Sequence, residues 1–198
     1  MKYTPPPVSQ RIIIKPGDHF VASDTRVLQT LLGSCVAACL YDDAAGVSGM
    51  NHFLLANKRY SKALEVNVTD AGRYGIHAME LLINDMLKKG AQRQRLRAKI
   101  FGGSTIVNTG GNDNFFCVGE VNIRFIREFL HTEGIPVISE DLGGKLGRVI
   151  QFHTDTHAVY RRFIAQTAAG ELEKTEHQYW QHEVERAVLE APTVVLFK

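Results

Sequence analysis

Val36 Ala37 Ala38 Cys39 Leu40 Tyr41, then Asp42 Asp43 Ala44 Ala45 Gly46, then Val47 Ser48 Gly49 Met50 Asn51 His52 Phe53 Leu54 Leu55: this stretch decides how the chain folds. Two apolar runs of strand length flank a polar, glycine-ended segment, which is the pattern of a β-hairpin. If Tyr41 opposes Gly46 across a four-residue loop, the numbers of opposed residues sum to one constant and Cys35 faces His52. Side chains directly opposed in this way have Cβ atoms roughly 4.5–5.5 Å apart. A slip of one residue would turn the two side chains to opposite faces, so the pairing depends on register.

Working outward, Arg11 to Lys15 and Val27 to Leu32 read as strands, with Lys15 Pro16 Gly17 Asp18 as a turn after the first. Asn57 to Asn67 is polar and reads as a surface loop. Asp70 is placed to cap a helix in which Ile76, Met79, Leu82, Ile83, Met86 and Leu87 keep helical spacing, and Lys88 Lys89 Gly90 stop it. Leu96 to Phe101 reads as a strand running into Gly102 Gly103, followed by a glycine- and asparagine-rich loop at Asn108 to Asn114. A second helix is expected over Gly119 to Thr132, ended by Gly134. Ile135 to Ile138, Val149 to His153 and Ala158 to Ile164 complete the strands. The expectation is an α/β (α+β) fold: mixed β-sheet layers with two main helices packed on them.

The domain is expected to span residues 1–164. Residues 165–198 form a C-terminal extension, and from Glu171 to Glu190 the composition turns acidic, with Glu171, Glu173, Glu176, Glu183, Glu185 and Glu190 against Lys174 and Arg186. Leu172, Tyr179, Val184, Ala187 and Val188 make an apolar stripe there, so an amphipathic helix and a short strand are expected to pack on the same domain. With 198 residues, 44% of them hydrophobic, the chain can build one well-buried core. A net charge of +2 makes no case for nucleic acid or an anionic membrane. The proline-rich start carries no signal-peptide core, no run approaches a membrane span, and three unevenly spaced cysteines make a poor disulfide framework. A cytoplasmic protein without membrane insertion is expected, and no cofactor or metal is required.

Cys35 and His52 carry the chemistry. A thiol attacks a carbonyl as thiolate, and its ordinary pKa of roughly 8.5 leaves little thiolate at neutral pH without help from a cation, dipole or base. A histidine can take that proton and return one to a departing amine, which runs both halves of acyl transfer through a thioester. The reading requires the two to meet where an amide can enter. Gly33 and Ser34 precede the thiol, allow close backbone approach, and place N–H groups where an oxyanion would form. The competing readings are that Cys35 is a small buried hydrophobe and His52 a satisfied core histidine, or that Cys35, Cys39 and His52 are zinc ligands of unusual spacing. Cys39 and Cys117 read as core thiols. Gly102 Gly103 and Asp141 to Arg148 have neither P-loop nor dinucleotide spacing and read as tight turns. His77, His131, His153, His157, His177 and His182 have no matched partners and read as surface residues.

Leu31 Leu32 Gly33 Ser34 Cys35 Val36 Ala37 and Gly49 Met50 Asn51 His52 Phe53 Leu54 Leu55 resemble the two signature segments of the CheD family of chemoreceptor glutamine deamidases. Arg73 Tyr74 Gly75 with Ala78 Met79 Glu80, Ala98 to Gly103, Gly119 with Asn122, and Asp141 with Gly143 Gly144 and Gly147 Arg148 extend the resemblance in order from about Leu28 to Phe152. It implies a fold related to other cysteine deamidases and a hydrolase that converts receptor glutamines to glutamates with release of ammonia. Cys35 is then the nucleophile, His52 its base, and Thr30, or Gln29 in its place, a supporting third catalytic residue. Gly33, Ser34 and Asn51 are candidates for the substrate and oxyanion contacts. The implied partners are methyl-accepting chemotaxis receptors and, in some members, a CheC-type phosphatase. The alternative is a non-catalytic module that binds a receptor or adaptor.

Overall fold

The structure, a computed structural model, describes residues 10–55, 70–105 and 118–164, together with Gln178. Two sheets and two helices account for them. In chain order the elements are β1 (Arg11–Ile13), β2 (His19–Ala22), β3 (Val27–Leu32), β4 (Val36–Asp42), β5 (Val47–Asn51), α1 (Asp70–Lys88), β6 (Arg97–Gly102), α2 (Val118–Thr132), β7 (Val137–Leu142), β8 (Arg148–His153) and β9 (Val159–Phe163). A short 3-10 turn at Arg93–Arg95 leads into β6.

One sheet has the order β2-β5-β4-β6-β7 and the other β1-β3-β8-β9. All seven residues of β4 are buried, because this central strand is covered on both faces. That explains why its sequence is a continuous apolar run without polar alternation. Val36, Ala38 and Leu40 pack with α1 and α2 residues such as Met79, Leu82, Phe125 and Phe129. Cys35, Ala37, Cys39 and Tyr41 pack against Leu28, Leu32, Ile150 and Phe152 of the second sheet. The molecule is therefore three layers deep at β4: helices, five-stranded sheet, four-stranded sheet.

The hairpin differs from the expected register in one respect. Asp42 pairs Val47, Tyr41 pairs Ser48 and Cys39 pairs Met50, so the loop is Asp43 to Gly46 and opposed numbers sum two higher than expected. The same register continues to the bridge between Val36 and Phe53. A shift of two in the sum preserves faces, so Cys35 and His52 stay on one side of the sheet but are diagonal neighbours, not opposed ones. Asp42 stays in the strand because its carboxylate accepts from the nearby Ala45 N and from the distant Gln92 N and Arg95, which pays for its burial.

One strand and several bounds also depart from expectation, β7 most. β2 was not expected; it lies antiparallel on β5 and makes the far edge of the larger sheet. β7 begins two residues later than Ile135 and runs to Leu142, parallel to β6, with an irregularity at Ala98 and Lys99. Its polar Ser139, Glu140 and Asp141 suit an exposed edge strand and hid it from an apolar-run criterion. The polar loop at Asn57 to Asn67, the Asn108 to Asn114 loop, Cys117 and the extension over 165–198 apart from Gln178 lie outside the described residues. No helix among the described residues is long and apolar enough to cross a membrane.

Candidate active site

Thr30 occupies an inward position of β3 and is 2% exposed. Its Oγ1 donates to the carbonyl of Ile14 at 2.7 Å and lies 2.7 Å from Nδ1 of His52. A hydroxyl has one proton. With that proton given to Ile14, the hydrogen between Oγ1 and Nδ1 must belong to the imidazole, and Nε2 is left with its lone pair. Among the described residues the buried Nε2 has no hydrogen-bond partner. Burial pushes the His52 pKa down to about 4, while the Ile14 carbonyl pulls weakly the other way. The ring is thus a neutral base whose tautomer is set by the second sheet.

The backbone of His52 is clamped from the other side, where its N–H donates to Asp18 O at 3.0 Å and its carbonyl accepts from Gly17 N at 2.8 Å. Gln29, the other candidate for the third position, points to the outer face of the smaller sheet and accepts from Gln151 Nε2 at 2.7 Å. Thr30, not Gln29, meets His52. The alternation of a strand explains this, since neighbours in β3 face opposite ways.

The segment before the thiol is held by three successive carbonyls. Gly33 O accepts from Ser104 N at 2.7 Å and Cys35 O from Gly103 N at 2.7 Å. Between them, Ser34 O accepts from Asn122 Nδ2 at 2.8 Å. Gly102 makes this possible: at φ +114° it adopts a conformation that side chains rarely take, and a Cβ there would lie 2.1 Å from the Cys35 carbonyl oxygen. The tight turn expected at Gly102 Gly103 is therefore the brace of the thiol segment. Arg148, 1% exposed, braces the next layer by donating to Ser104 Oγ at 3.0 Å and Asp141 Oδ1 at 2.8 Å.

Asn51 has a different place from the one expected. Its Oδ1 accepts from Ala38 N at 3.0 Å, and its Nδ2 donates to Ala78 O and Met79 Sδ on α1. The amide thus lies on the helix face of the sheet, opposite Cys35 and His52, and replaces a backbone bond between β4 and β5. His157 also departs from expectation: it stacks on Tyr41 with ring centroids 4.2 Å apart. Cys39 lies within the core, where burial pushes its thiol well above the ordinary value against a weak opposing pull from Lys99. Among the described residues no group of three or more His, Cys, Asp or Glu is gathered to hold a metal.

Access to the pair also differs from expectation. Cys35 is fully buried and His52 2% exposed. A cleft of about 320 Å³ lies between the 16–19 turn and the α1 residues Tyr74, His77, Ala78 and Leu81; its walls include His52 and Asn51 but not Cys35. The thiol and imidazole share a face as diagonal neighbours, about 7–8 Å apart at Cα by strand geometry. Among the described residues, the cleft that reaches His52 does not extend to Cys35.

A layered α+β protein with a cysteine and a neutral imidazole on one face of the larger sheet, and a hydroxyl reaching that imidazole from the smaller sheet, has the groups that thiol-based acyl transfer requires. Comparison with known proteins places it more narrowly. A model of the CheD family, described as "CheD chemotactic sensory transduction", matches residues 54–163. A Geobacter sulfurreducens protein named "Probable chemoreceptor glutamine deamidase CheD 1" is 51% identical over 187 residues, 94% of this chain and 93% of that one. A Shewanella oneidensis protein named "Probable chemoreceptor glutamine deamidase CheD 2" is 47% identical over 175 residues, 85% of each chain. The chain belongs to the CheD family. Among solved structures, a Bacillus licheniformis hypothetical protein, YfiH, is 17% identical with a TM-score of 0.37 over 63% of this chain and 50% of that one, too slight a likeness to carry an argument.

Two residues that matter to the site, Asn122 and Arg148, fall on matched motifs of the sequence but carry no assigned role there. Asn122 does leave a signal, because it shares the apolar stripe of α2 with Phe125, Ile126 and Phe129, and a polar residue on a buried stripe must have partners.

Proposed function

We propose that this protein is a chemoreceptor glutamine deamidase acting in the cytoplasm on methyl-accepting chemotaxis receptors. The observation that carries the reading is the Thr30 to His52 contact of 2.7 Å, which leaves Nε2 as the basic nitrogen. The names of relatives about half identical over most of the chain point to the same substrate.

In this mechanism the Cys35 sulfur attacks the side-chain carbonyl carbon of a glutamine while His52 Nε2 takes the thiol proton. The new C–S bond and the oxyanion then resolve as the C–N bond breaks, and the imidazolium gives its proton to the leaving nitrogen, so ammonia departs and a thioester remains. Water, deprotonated by the same Nε2, attacks the thioester; the carbon–sulfur bond breaks and glutamate leaves with the thiol restored. The net change is glutamine plus water to glutamate plus ammonia. The rigidly braced Gly33–Cys35 segment supplies the oriented backbone against which the carbonyl oxygen gains charge. Because Cys35 and His52 are covered, the local surface must part to admit a glutamine side chain.

That same burial is the observation favouring a binding module. Incubating the protein with a receptor cytoplasmic fragment and following both peptide masses and ammonia release decides between them. Conversion of specific glutamines by wild type but not by Cys35→Ala supports the enzyme; stable receptor binding with no conversion supports the module. A complex with a CheC-type phosphatase belongs to this proposal, and co-elution of the two purified proteins tests it.

A further inference from the structure

Asn122, early in α2, is fully buried. Its Nδ2 donates to the Ser34 carbonyl at 2.8 Å, and its Oδ1 accepts from the Leu55 N–H at 2.9 Å. The amide cannot be turned round, since the peptide N–H can meet only the oxygen and the carbonyl only the nitrogen. Between the two contact points, Val36 and Phe53 exchange both backbone hydrogen bonds, at 3.0 and 2.9 Å. A closed ring results: Ser34, Cys35 and Val36, across to Phe53, Leu54 and Leu55, and back through the Asn122 side chain. Cys35 lies inside that ring and His52 is attached to it one residue before Phe53.

The Ser34 carbonyl belongs to the same rigid peptide plane as the Cys35 N–H. A donor on that oxygen therefore sets the rotation of the plane leading into Cys35 Cα and the direction in which the thiol leaves the backbone. We infer that Asn122 is a positioning residue, its side-chain amide locking the thiol segment and the histidine strand into one geometry. The kinetic arm of the following test rests on the deamidase reading; the thiol-reactivity arm does not.

Asn122→Asp is the informative variant because its shape is unchanged. A neutral carboxyl can accept from Leu55 and donate its O–H to Ser34, but a carboxylate has no donor and repels the Ser34 carbonyl. Burial raises the pKa of such a carboxyl, so the change falls between about pH 5 and pH 8. Relative to wild type, kcat of Asn122→Asp is expected near one at the low end and reduced on the order of 10- to 100-fold at the high end, with KM changed far less. Asn122→Ala is expected to be slow throughout.

Independently of any substrate, the rate of Cys35 alkylation by iodoacetamide, read on its peptide by mass spectrometry, should depart from wild type at high pH in Asn122→Asp and return as pH falls. Near-ultraviolet circular dichroism at each pH confirms folding. A variant-to-wild-type ratio near one at every pH in both arms, or unfolding of Asn122→Asp at the pH where its rates change, would overturn the inference. If wild type converts no receptor glutamine, the deamidase reading falls and the alkylation arm still decides. If Asn122→Ala does not fold, Asn122→Asp compared with itself at the two pH limits is sufficient.

Discussion

The Thr30 hydroxyl stands 2.7 Å from His52 Nδ1 and joins the two sheets at the candidate base. The carbonyl of Ile14, one residue past β1, accepts the hydroxyl proton, so the smaller sheet, through one threonine, decides which ring nitrogen is basic in a residue that follows β5 of the larger sheet.

Thr30→Val keeps the shape of this side chain and removes its oxygen. The imidazole N–H then loses its acceptor in a buried site, at a cost of about 1–3 kcal/mol in stability. The ring is also free to present the other tautomer, so kcat for glutamine conversion is expected to fall on the order of 10- to 100-fold. Thr30→Ser should restore most of both losses. Urea denaturation and ammonia release, measured on the same preparations, check the two effects.

His52 should make the protein acid-sensitive. Its folded pKa of about 4 lies below the ordinary 6.5, so between these values the unfolded chain binds the proton that the folded chain refuses. Stability contributed by neutral His52 is complete above pH 6.5 and is lost as pH falls towards 4, amounting to about 3 kcal/mol at the acid end. Urea midpoints for wild type should therefore fall more steeply over this interval than those of His52→Gln. A parallel pair of curves would refute the assignment of a buried neutral ring.

The two described core cysteines should behave differently. Cys35→Ala is expected to abolish glutamine conversion while retaining the fold, since alanine fits the same apolar surroundings. Cys39→Ala, in the middle of β4, should keep kcat within about twofold and lower stability by about 1 kcal/mol, because its thiol is held protonated and serves as packing. Equal loss of conversion in both variants would contradict a single nucleophile.

Gly102→Ala places a methyl group on the Cys35 carbonyl oxygen and forces a left-handed backbone on a residue with a side chain. A destabilisation of about 2–4 kcal/mol is expected, together with a loss of conversion at temperatures where the variant is still folded. Thermal melts beside initial rates distinguish this from Gly90→Ala, also at positive φ but with open space around it, where only stability should fall.

Much of this protein was legible in its linear chain. The continuous apolar run of β4 announced a strand, the 3.6-residue spacing of α1 and α2 announced helices with one apolar side, and the parity of the hairpin put Cys35 and His52 on a common face. These are local properties, set by the two-residue repeat of a strand and the near-four-residue repeat of a helix. Where a polar residue supports itself through distant partners, local pattern failed: Asp42 extended the hairpin by binding Arg95 and Gln92, and Ser139 to Asp141 formed a strand because a parallel neighbour, β6, was there to pair with.

By itself the sequence determined which residue types are candidates for the chemistry and the order of elements that carries them. Only the tertiary structure decided that Thr30 and not Gln29 touches the imidazole, that Asn51 serves the helix face, that Asn122 ties the two reactive segments together, and that the pair lies beneath the surface. The physical reason is that a hydrogen bond across sheets depends on separations of a few tenths of an ångström between groups dozens of residues apart, and no one-dimensional pattern encodes such a distance.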